Sequence, residues 1–254
     1  MIHYHGVPVT PTLAASRFLA RRHACVSMAH PSQLPLVAEV CQSFILDNGA
    51  FSRWRAGDGR VDPVAFAEWV APWMRHPAFD WCLIPDVIDG TEQDNDVMIA
   101  AFSDAASAVG LSWSLCVPVW HMHESLDRLR YLSIAYQRVA LGSSGDYATV
   151  GTDEWWHRMG EAMAVICDDD GRPRTKLHGL RMLNPTVFSQ LPLASADSTN
   201  VARNMGIDKA WRGPYAPLTP ETRAAVLAER IETHASAARW SQRIGTQINL
   251  ELVG

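Results

Sequence analysis

The sequence lacks the features that mark several classes of protein. It has only two lysines against twenty arginines, and its formal net charge is −5, which excludes a protein that coats nucleic acid by bulk positive charge. No apolar run approaches the ~18–20 residues of a membrane span. Residues 1–12 carry neither a basic segment nor the apolar run of a signal peptide, so we expect a cytoplasmic protein with no membrane partner.

Cysteine is scarce and cofactor motifs are missing. The five cysteines are widely spaced, odd in number and contain no CxxC pair, so the sequence signals neither a zinc ribbon nor a disulfide framework, and we expect small core residues. The first strand-like stretch leads to no GxGxxG, and the glycine loop at 142–145 lacks the Gly-Lys-Ser/Thr of a P-loop. The sequence therefore predicts no cofactor.

What the chain does have is an alternation of short apolar runs with helix-compatible stretches. The apolar runs, each ending in a polar residue or glycine, lie at 2–6, 25–30, 43–49, 81–86, 114–121, 138–143, 177–183 and 193–198. The amphipathic or alanine-rich stretches lie at 11–22, 63–75, 91–109, 124–136, 153–167 and 220–236. Eight such units predict a single α/β domain over residues 1–254, a (β/α)8 TIM-like barrel, with an open doubly wound sheet as the alternative.

Two of the helix starts carry a clear local signal. Asp62-Pro63 and Thr219-Pro220 each place a capping side chain directly before a proline. Proline is favoured in the first turn of a helix, where its missing N–H has no partner to lose. We therefore expect helices to begin at both points, the second of them the C-terminal helix of about 220–236.

Polar side chains stand where the predicted strands end. In a barrel the carboxyl ends of all strands meet at one face, which is where barrel enzymes hold their active sites. We expect these side chains to converge there: His5, His30, Asp47, Asp86, His121, Ser143, His178 and Asp197.

Two chemistries compete for this set of residues. His3 and His5 on the first strand, with His121, His178 and Asp197 on later strands, resemble the ligand order of metal-dependent amidohydrolase barrels, in which zinc activates water. The alternative uses no metal and pairs Asp197 with Asp47 as nucleophile and acid/base. Each residue also has a structural interpretation: Asp47 and Asp197 as capping residues, and Trp120 as part of the core.

The order of the motifs favours the carboxylate chemistry through a resemblance. The matching segments are FILDNGAFS, WCLIPD, VPVWH, RVALGSSG, LHGLRML and LPLASADSTNVARN, spread over residues 40–205. Together they resemble the tRNA-guanine transglycosylase superfamily, and most of all its compact phage and bacterial branch, which places 7-deazaguanine bases in DNA. The zinc-bearing subdomain of the tRNA enzymes has no counterpart here, because no cysteine follows Cys167.

The resemblance implies a guanine base exchange in DNA. Asp197 would attack C1′ and form a covalent glycosyl-enzyme intermediate, Asp47 would transfer protons, and a 7-deazaguanine base such as preQ0 would replace guanine. The implied base-binding residues are Asp86, Trp120, His121, Gly142, Ser143 and His178. A tRNA-type transglycosylase without zinc and the metal-dependent hydrolase remain as alternatives.

The charge distribution points to where DNA would bind. Residues 172–213 hold seven basic and two acidic side chains, a balance of +5 within an acidic chain. This stretch surrounds Asp197 in the sequence, so we expect it to contact the phosphate backbone. The residues expected to contact nucleic acid are Lys176, Arg181, Asn200 and Arg203.

Overall fold

Nine parallel strands form one sheet that curls into a nearly closed barrel with helices outside it, which confirms the predicted α/β TIM-like barrel. The computed structural model describes residues 1–206, 211 and 216–241. The strands are β1 (Ile2–Gly6), β2 (His23–Ser27), β3 (Ser43–Asp47), β4 (Phe79–Leu83), β5 (Cys116–Val117), β6 (Val119–His121), β7 (Arg138–Gly142), β8 (Lys176–Gly179) and β9 (Ser195–Ser198). Their order in the sheet is β5-β4-β3-β2-β1-β9-β8-β7-β6.

The helices connect the strands and cover the outside of the sheet. They are α1 (Thr12–Leu19), α2 (Leu34–Val40), α3 (Ala50–Ala56), α4 (Pro63–Val70), α5 (Glu92–Ala108), α6 (Leu126–Ala135), α7 (Asp153–Ile166), α8 (Pro185–Phe188), α9 (Asn200–Asn204) and α10 (Pro220–Glu232). Both predicted starts are confirmed, because Asp62 accepts from the Val64 N–H at 2.9 Å and Thr219 from the Thr222 N–H at 3.2 Å.

The predicted strand at 114–121 is broken at Pro118, and this break closes the barrel. Proline has no N–H to donate to a neighbouring strand. The chain before it, β5, pairs with β4, and the chain after it, β6, pairs with β7. The carbonyl oxygen of Pro118 still accepts from the Ala140 N–H at 2.9 Å. Nine strands therefore occupy eight positions around the ring.

Side chains alternate between the inside of the barrel and the layer beneath the helices, as they do along any strand. The inside holds an aromatic and aliphatic cluster of its own, which includes Tyr4, Ile45, Trp81 and Val119, separate from the larger core under the helices. Because the alternation has a period of two, the residue two positions after an inward-facing side chain also points into the barrel. This rule decides which strand-end residues reach the mouth of the barrel.

All five cysteines are free, and four of them are buried, as expected for core residues. Among the helices of the described residues, none combines the length and apolar composition that a membrane crossing needs.

Candidate active site at the carboxyl end of the barrel

Most of the predicted polar residues do converge at the carboxyl end of the strands. The residues found there are Asp47, Asp86, His121, Ser143, His178 and Asp197, joined by Arg181 from the loop after β8. Two of the predicted set are elsewhere. His5 points outward, where its Nε2 lies 2.8 Å from the Glu232 carboxylate, and His30 is exposed beyond the end of β2.

Asp47 is the carboxyl group whose ionisation the site opposes. It ends β3, two residues after the inward-facing Ile45, and burial raises its pKa to about 6. The Gly49 N–H, which donates to Oδ1 at 3.2 Å, works against this shift, whereas the negative charges of Asp197 and Asp86 add to it. Asp47 therefore exchanges its proton close to neutral pH.

The turn after Asp47 needs glycine at position 49. Gly49 has a φ of +82°, a conformation that residues with a Cβ rarely adopt. A Cβ there would lie 3.0 Å from the backbone nitrogen of Ala29. Glycine at this position, directly before α3, aims its N–H at the Asp47 carboxyl group.

Asp197 has a different environment. Its side chain, in β9, is 13% exposed, and Oδ1 accepts the backbone N–H of Arg181 at 3.0 Å. The same oxygen lies 3.4 Å from Nε2 of His178. Asp197 therefore has one backbone hydrogen bond and one histidine ring nitrogen at the same oxygen.

The hydrogen bonds from Arg138 to Ser195 and from Ser195 to His178 determine which ring nitrogen of His178 carries the proton. Arg138 Nη1 donates to the Ser195 hydroxyl at 3.0 Å, which leaves the Ser195 proton free for Nδ1 of His178 at 2.9 Å. The His178 ring is fully buried, and burial lowers its pKa, so the ring is neutral. Its one N–H is therefore at Nε2, facing Asp197.

A second acidic residue pairs with a histidine across the mouth of the barrel. Asp86 Oδ1 accepts from Asn48 Nδ2 at 2.8 Å, and its Oδ2 lies 2.9 Å from Nε2 of His121, away from the line of a straight hydrogen bond. Glu124 accepts the backbone N–H of His121 at 3.0 Å. Both members of the pair are almost fully buried.

Arg181 supplies the positive charge at this end. Its backbone has a φ of +60°, its Nη2 donates to the Ser143 carbonyl at 2.8 Å, and its guanidinium lies 4.1 Å from the centre of the Phe51 ring. These contacts join the loops after β3, β7 and β8 and hold the cation near both Asp47 and Asp197.

Sequence reasoning missed four residues of this arrangement. Phe51, Asn48, Ser195 and Arg138 all support the site, yet none was predicted to belong to it. The signal for the first two was their position directly after Asp47 in FILDNGAFS. Ser195 and Arg138 carry no local signal, because their role depends on pairing between β7, β8 and β9.

Two of the predicted base-binding residues have structural roles. Trp120 is completely buried on the helix-facing side of β6, where its Nε1 donates to the Ser125 carbonyl at 3.0 Å, so it cannot stack on a ligand. Gly142 is also buried, and a Cβ there would lie 3.2 Å from Val119 and 3.3 Å from the His121 ring. It allows β6 and β7 to pack closely and does not offer its backbone to a ligand.

The predicted nucleic-acid surface is divided between the two ends of the barrel. Lys176 begins β8 and lies at the amino end with Arg172 and Arg174, whereas Arg181, Asn200 and Arg203 lie at the carboxyl end. A strand of four residues separates the two groups, so closeness to Asp197 in sequence was misleading for Lys176. Two further basic residues of the stretch, Lys209 and Arg212, are outside the described residues.

The metal-dependent alternative fails on geometry. His3 lies 3.1 Å from the His234 carbonyl and His5 binds Glu232, both on the outer side of β1. His121 and His178 are inside the barrel. Within residues 1–206, 211 and 216–241, no three His, Cys, Asp or Glu side chains are placed to hold a metal ion together.

The fold and the residues at the carboxyl end of the strands place the chain in one structural class. It is an α/β barrel that holds acidic side chains in different environments at the carboxyl end.

No family model matches the chain, and no curated protein matches its sequence. Among solved structures, the chain resembles two mutant forms of the tryptophan synthase alpha subunit from Pyrococcus furiosus. One has a TM-score of 0.53 and 12% identity over 91% of this chain and 95% of that one. The other has a TM-score of 0.51 and 12% identity over 92% and 97%. The chain also resembles a chain of the tryptophan synthase complex from the same organism (TM-score 0.52, 13% identity, 91% and 97%).

These comparisons contradict the expected guanine base exchange in DNA. The structures found are tryptophan synthase alpha subunits and not transglycosylases. The chain shares their barrel, and at 12–13% identity the likeness extends to the fold. The resemblance of the short motifs to the transglycosylase superfamily, and binding of DNA or of a 7-deazaguanine base, stay predictions.

Proposed function

We propose that the chain is an enzyme that transfers protons to and from a small polar substrate, with Asp47 as the acid and Asp197 as the base. The observation that carries this proposal is the unequal environment of the two carboxyl groups at one mouth of the barrel. Titratable groups whose surroundings separate their protonation states are the usual pattern of an acid–base pair.

Asp47 has the properties of a general acid. Burial and the neighbouring negative charges raise its pKa to about 6, so about a tenth of the molecules keep this proton at pH 7, far more than at the ordinary pKa of 3.8. Among the carboxyl groups of the described residues, Asp47 is the one whose pKa is raised; shifts at Asp94, Glu92, Glu221 and Glu232 are downward.

Asp197 has the properties of the base. The Arg181 N–H and the Nε2–H of His178 both face its Oδ1, and its partial exposure leaves the other oxygen open to a substrate. His178 acts through Asp197 and is a positioning residue, because its ring is enclosed and its tautomer is set by Ser195 and Arg138.

The charges around the pair favour a substrate with an electron-rich or anionic group. Arg181 has a guanidinium held in place by Phe51 and the Ser143 carbonyl, which lowers the entropic cost of binding a negative group. The Asp86–His121 pair places a carboxyl group and an imidazole ring on the other side of the mouth. The solved structures that share the barrel carry the name of an enzyme, which supports an enzyme without identifying its substrate.

The test is a search for solvent deuterium exchange. Purified protein in D2O is mixed with the small-molecule fraction of a bacterial extract, and mass spectrometry follows species that gain deuterium or disappear. We expect Asp47→Asn and Asp197→Asn to slow the change at least about a hundredfold. Asp127→Asn, which alters a side chain that is 91% exposed, is the matched control and should match the wild type.

Two results would contradict the proposal. One is wild-type rates in both site variants while circular dichroism shows them folded. The other is that the wild-type protein alters no species that the heat-denatured protein leaves unchanged.

A further inference from the structure

A cavity of about 370 Å³ opens at the amino end of the barrel, at the opposite end from Asp47 and Asp197. Its lining includes Asp80, Trp81, Trp113, Tyr136, Arg138 and Lys176. The volume falls within the range of small-molecule sites. None of these residues has a part in the proposed proton transfer except Arg138, which acts there only through Ser195.

Arg138 gives this cavity a positive charge that has no direct ion-pair partner among the described residues. The side chain is half-buried, and among the described residues no carboxylate oxygen lies within the 4.0 Å of an ion pair. Burial lowers the pKa of the guanidinium, and the negative charge of Asp80 offsets this only in part. One of its donors reaches Ser195, and its plane lies over Trp81 at 5.0 Å.

The acidic residue of the cavity is already engaged. Asp80 accepts the Tyr4 hydroxyl at 2.6 Å and also the Ser43 hydroxyl, both through Oδ2. Asp80 makes no direct ion pair with Arg138 in the described part of the chain. The remaining donors of the guanidinium are left for something that enters the cavity.

Further donors and an apolar wall complete the lining. Lys176 stands at the exposed rim, and the buried indole N–H of Trp81 has no hydrogen-bond partner in the described part of the chain. The rings of Trp113 and Tyr136, with centroids 6.1 Å apart, form one side. Cationic and N–H donors beside flat aromatic rings suit an anionic group attached to a planar apolar body.

We propose that this amino-end cavity is a binding site for a small aromatic carboxylate, whose carboxylate pairs with Arg138 and Lys176 while its ring packs against Trp113 and Tyr136. The site shares Arg138 with the hydrogen-bond chain to His178, and its other residues lie apart from the proposed proton transfer.

Isothermal titration with benzoate tests the site, with benzylamine as a probe of the same shape and opposite charge and inorganic phosphate as an anion without a ring. We expect one benzoate site per chain, weaker binding of phosphate, and no binding of benzylamine. Arg138→Met should weaken benzoate at least about tenfold and Lys176→Met severalfold. Arg172→Met, an exposed arginine at the same end that does not line the cavity, is the control and should bind like the wild type.

The variants separate this site from the carboxyl mouth. If Arg138→Met does not fold, the benzoate affinity of Lys176→Met tests the proposal instead, because the Lys176 side chain is exposed and its replacement leaves the core unchanged. Unchanged benzoate affinity in the variants that fold overturns the proposal. So does loss of binding in Arg181→Met, equal binding of benzylamine, or no benzoate binding at millimolar concentration.

Discussion

At the scale of single residues, Asp47 is a carboxyl group whose ionised form is disfavoured by burial. Its position follows from a simple rule: β3 alternates, Ile45 faces the barrel interior, and Asp47 follows it two residues later. The alternation of the strands was enough to predict that Asp47 meets Asp86 and Asp197 at the carboxyl end of the barrel. The burial that raises the pKa of Asp47 most depends on the packing of the whole mouth and could not be predicted from the sequence.

Asp47 makes the folded protein less stable as the pH rises. Its folded-state pKa of about 6 exceeds the ordinary value of 3.8, so the folded state binds the proton more tightly and stability falls between pH 4 and 6. Above pH 6 the loss is complete, at about 3 kcal/mol. Asp47→Asn should therefore raise the free energy of unfolding at pH 7.5 by up to that amount and change it little at pH 4.

Urea unfolding at the two pH values measures this difference, with Asp127→Asn as the control that should show none. An Asp47→Asn variant that is equally or less stable than the wild type at pH 7.5 would show that the carboxyl group is not strained in the folded state.

His178 gives a second prediction at this scale. Because Arg138 and Ser195 fix the direction of the hydrogen bonds, the ring should be protonated at Nε2 and accept at Nδ1. Nitrogen-15 NMR of histidine-labelled protein distinguishes the two tautomers. We expect the Nε2–H form in the wild type, persisting below pH 6.5 because burial lowers the pKa, and a mixture in Ser195→Ala. A wild-type ring protonated at Nδ1 would refute the assignment.

At the scale of elements, the local signals of the sequence were reliable and the direction of side chains was not. Asp62 and Thr219 cap α4 and α10 as predicted, since a capping side chain and a proline act within one turn. His5 and Trp120 were expected at the mouth of the barrel but face the helices, because the side of a strand depends on register with its neighbours. The helix predicted to reach residue 236 ends at Glu232.

Glu232 at the end of α10 contacts His5 of β1 and Arg22 of the segment between α1 and β2. Burial opposes ionisation of this carboxyl group, but the hydrogen bond from His5 and the charge of Arg22 outweigh it and lower the pKa to about 2. The stabilisation is therefore present above pH 4.5 and is lost as the pH falls towards 2. Glu232→Gln should cost about 1 kcal/mol at pH 7 and less at pH 3.5.

Thermal unfolding of Glu232→Gln beside Glu229→Gln tests this contact, because Glu229 is exposed on the same helix. Glu232→Gln should melt at a lower temperature than the wild type, whereas Glu229→Gln should melt at the wild-type temperature. Equal melting temperatures for the two variants at pH 7 would mean that the contact with His5 and Arg22 contributes nothing.

At the scale of the whole molecule, the alternation of strands and helices was enough to predict the barrel. It repeats eight times along the chain, and the one irregularity, Pro118, preserves the ring because its carbonyl oxygen still pairs. The function could not be predicted from the sequence in the same way. Short motifs in a family-like order led to a base exchange that the structural comparisons contradict.

The basic stretch shows why sequence distance misleads at this scale. A parallel strand carries the chain from one end of a barrel to the other, so Lys176 and Arg181, five positions apart, lie at opposite ends. What the sequence describes as a single charged segment becomes two separate features. One is the cation at the proposed active site, and the other is the rim of the amino-end cavity.

The pH dependence of turnover shows whether Asp47 delivers a proton. For a substrate found by deuterium exchange, kcat/KM of the wild type should be level below pH 6 and fall about tenfold for each unit above it, as the acid loses its proton. In Asp47→Asn the remaining activity should lose this decline. A wild-type rate that stays constant from pH 5 to 8, or a decline that persists in Asp47→Asn, would contradict the account.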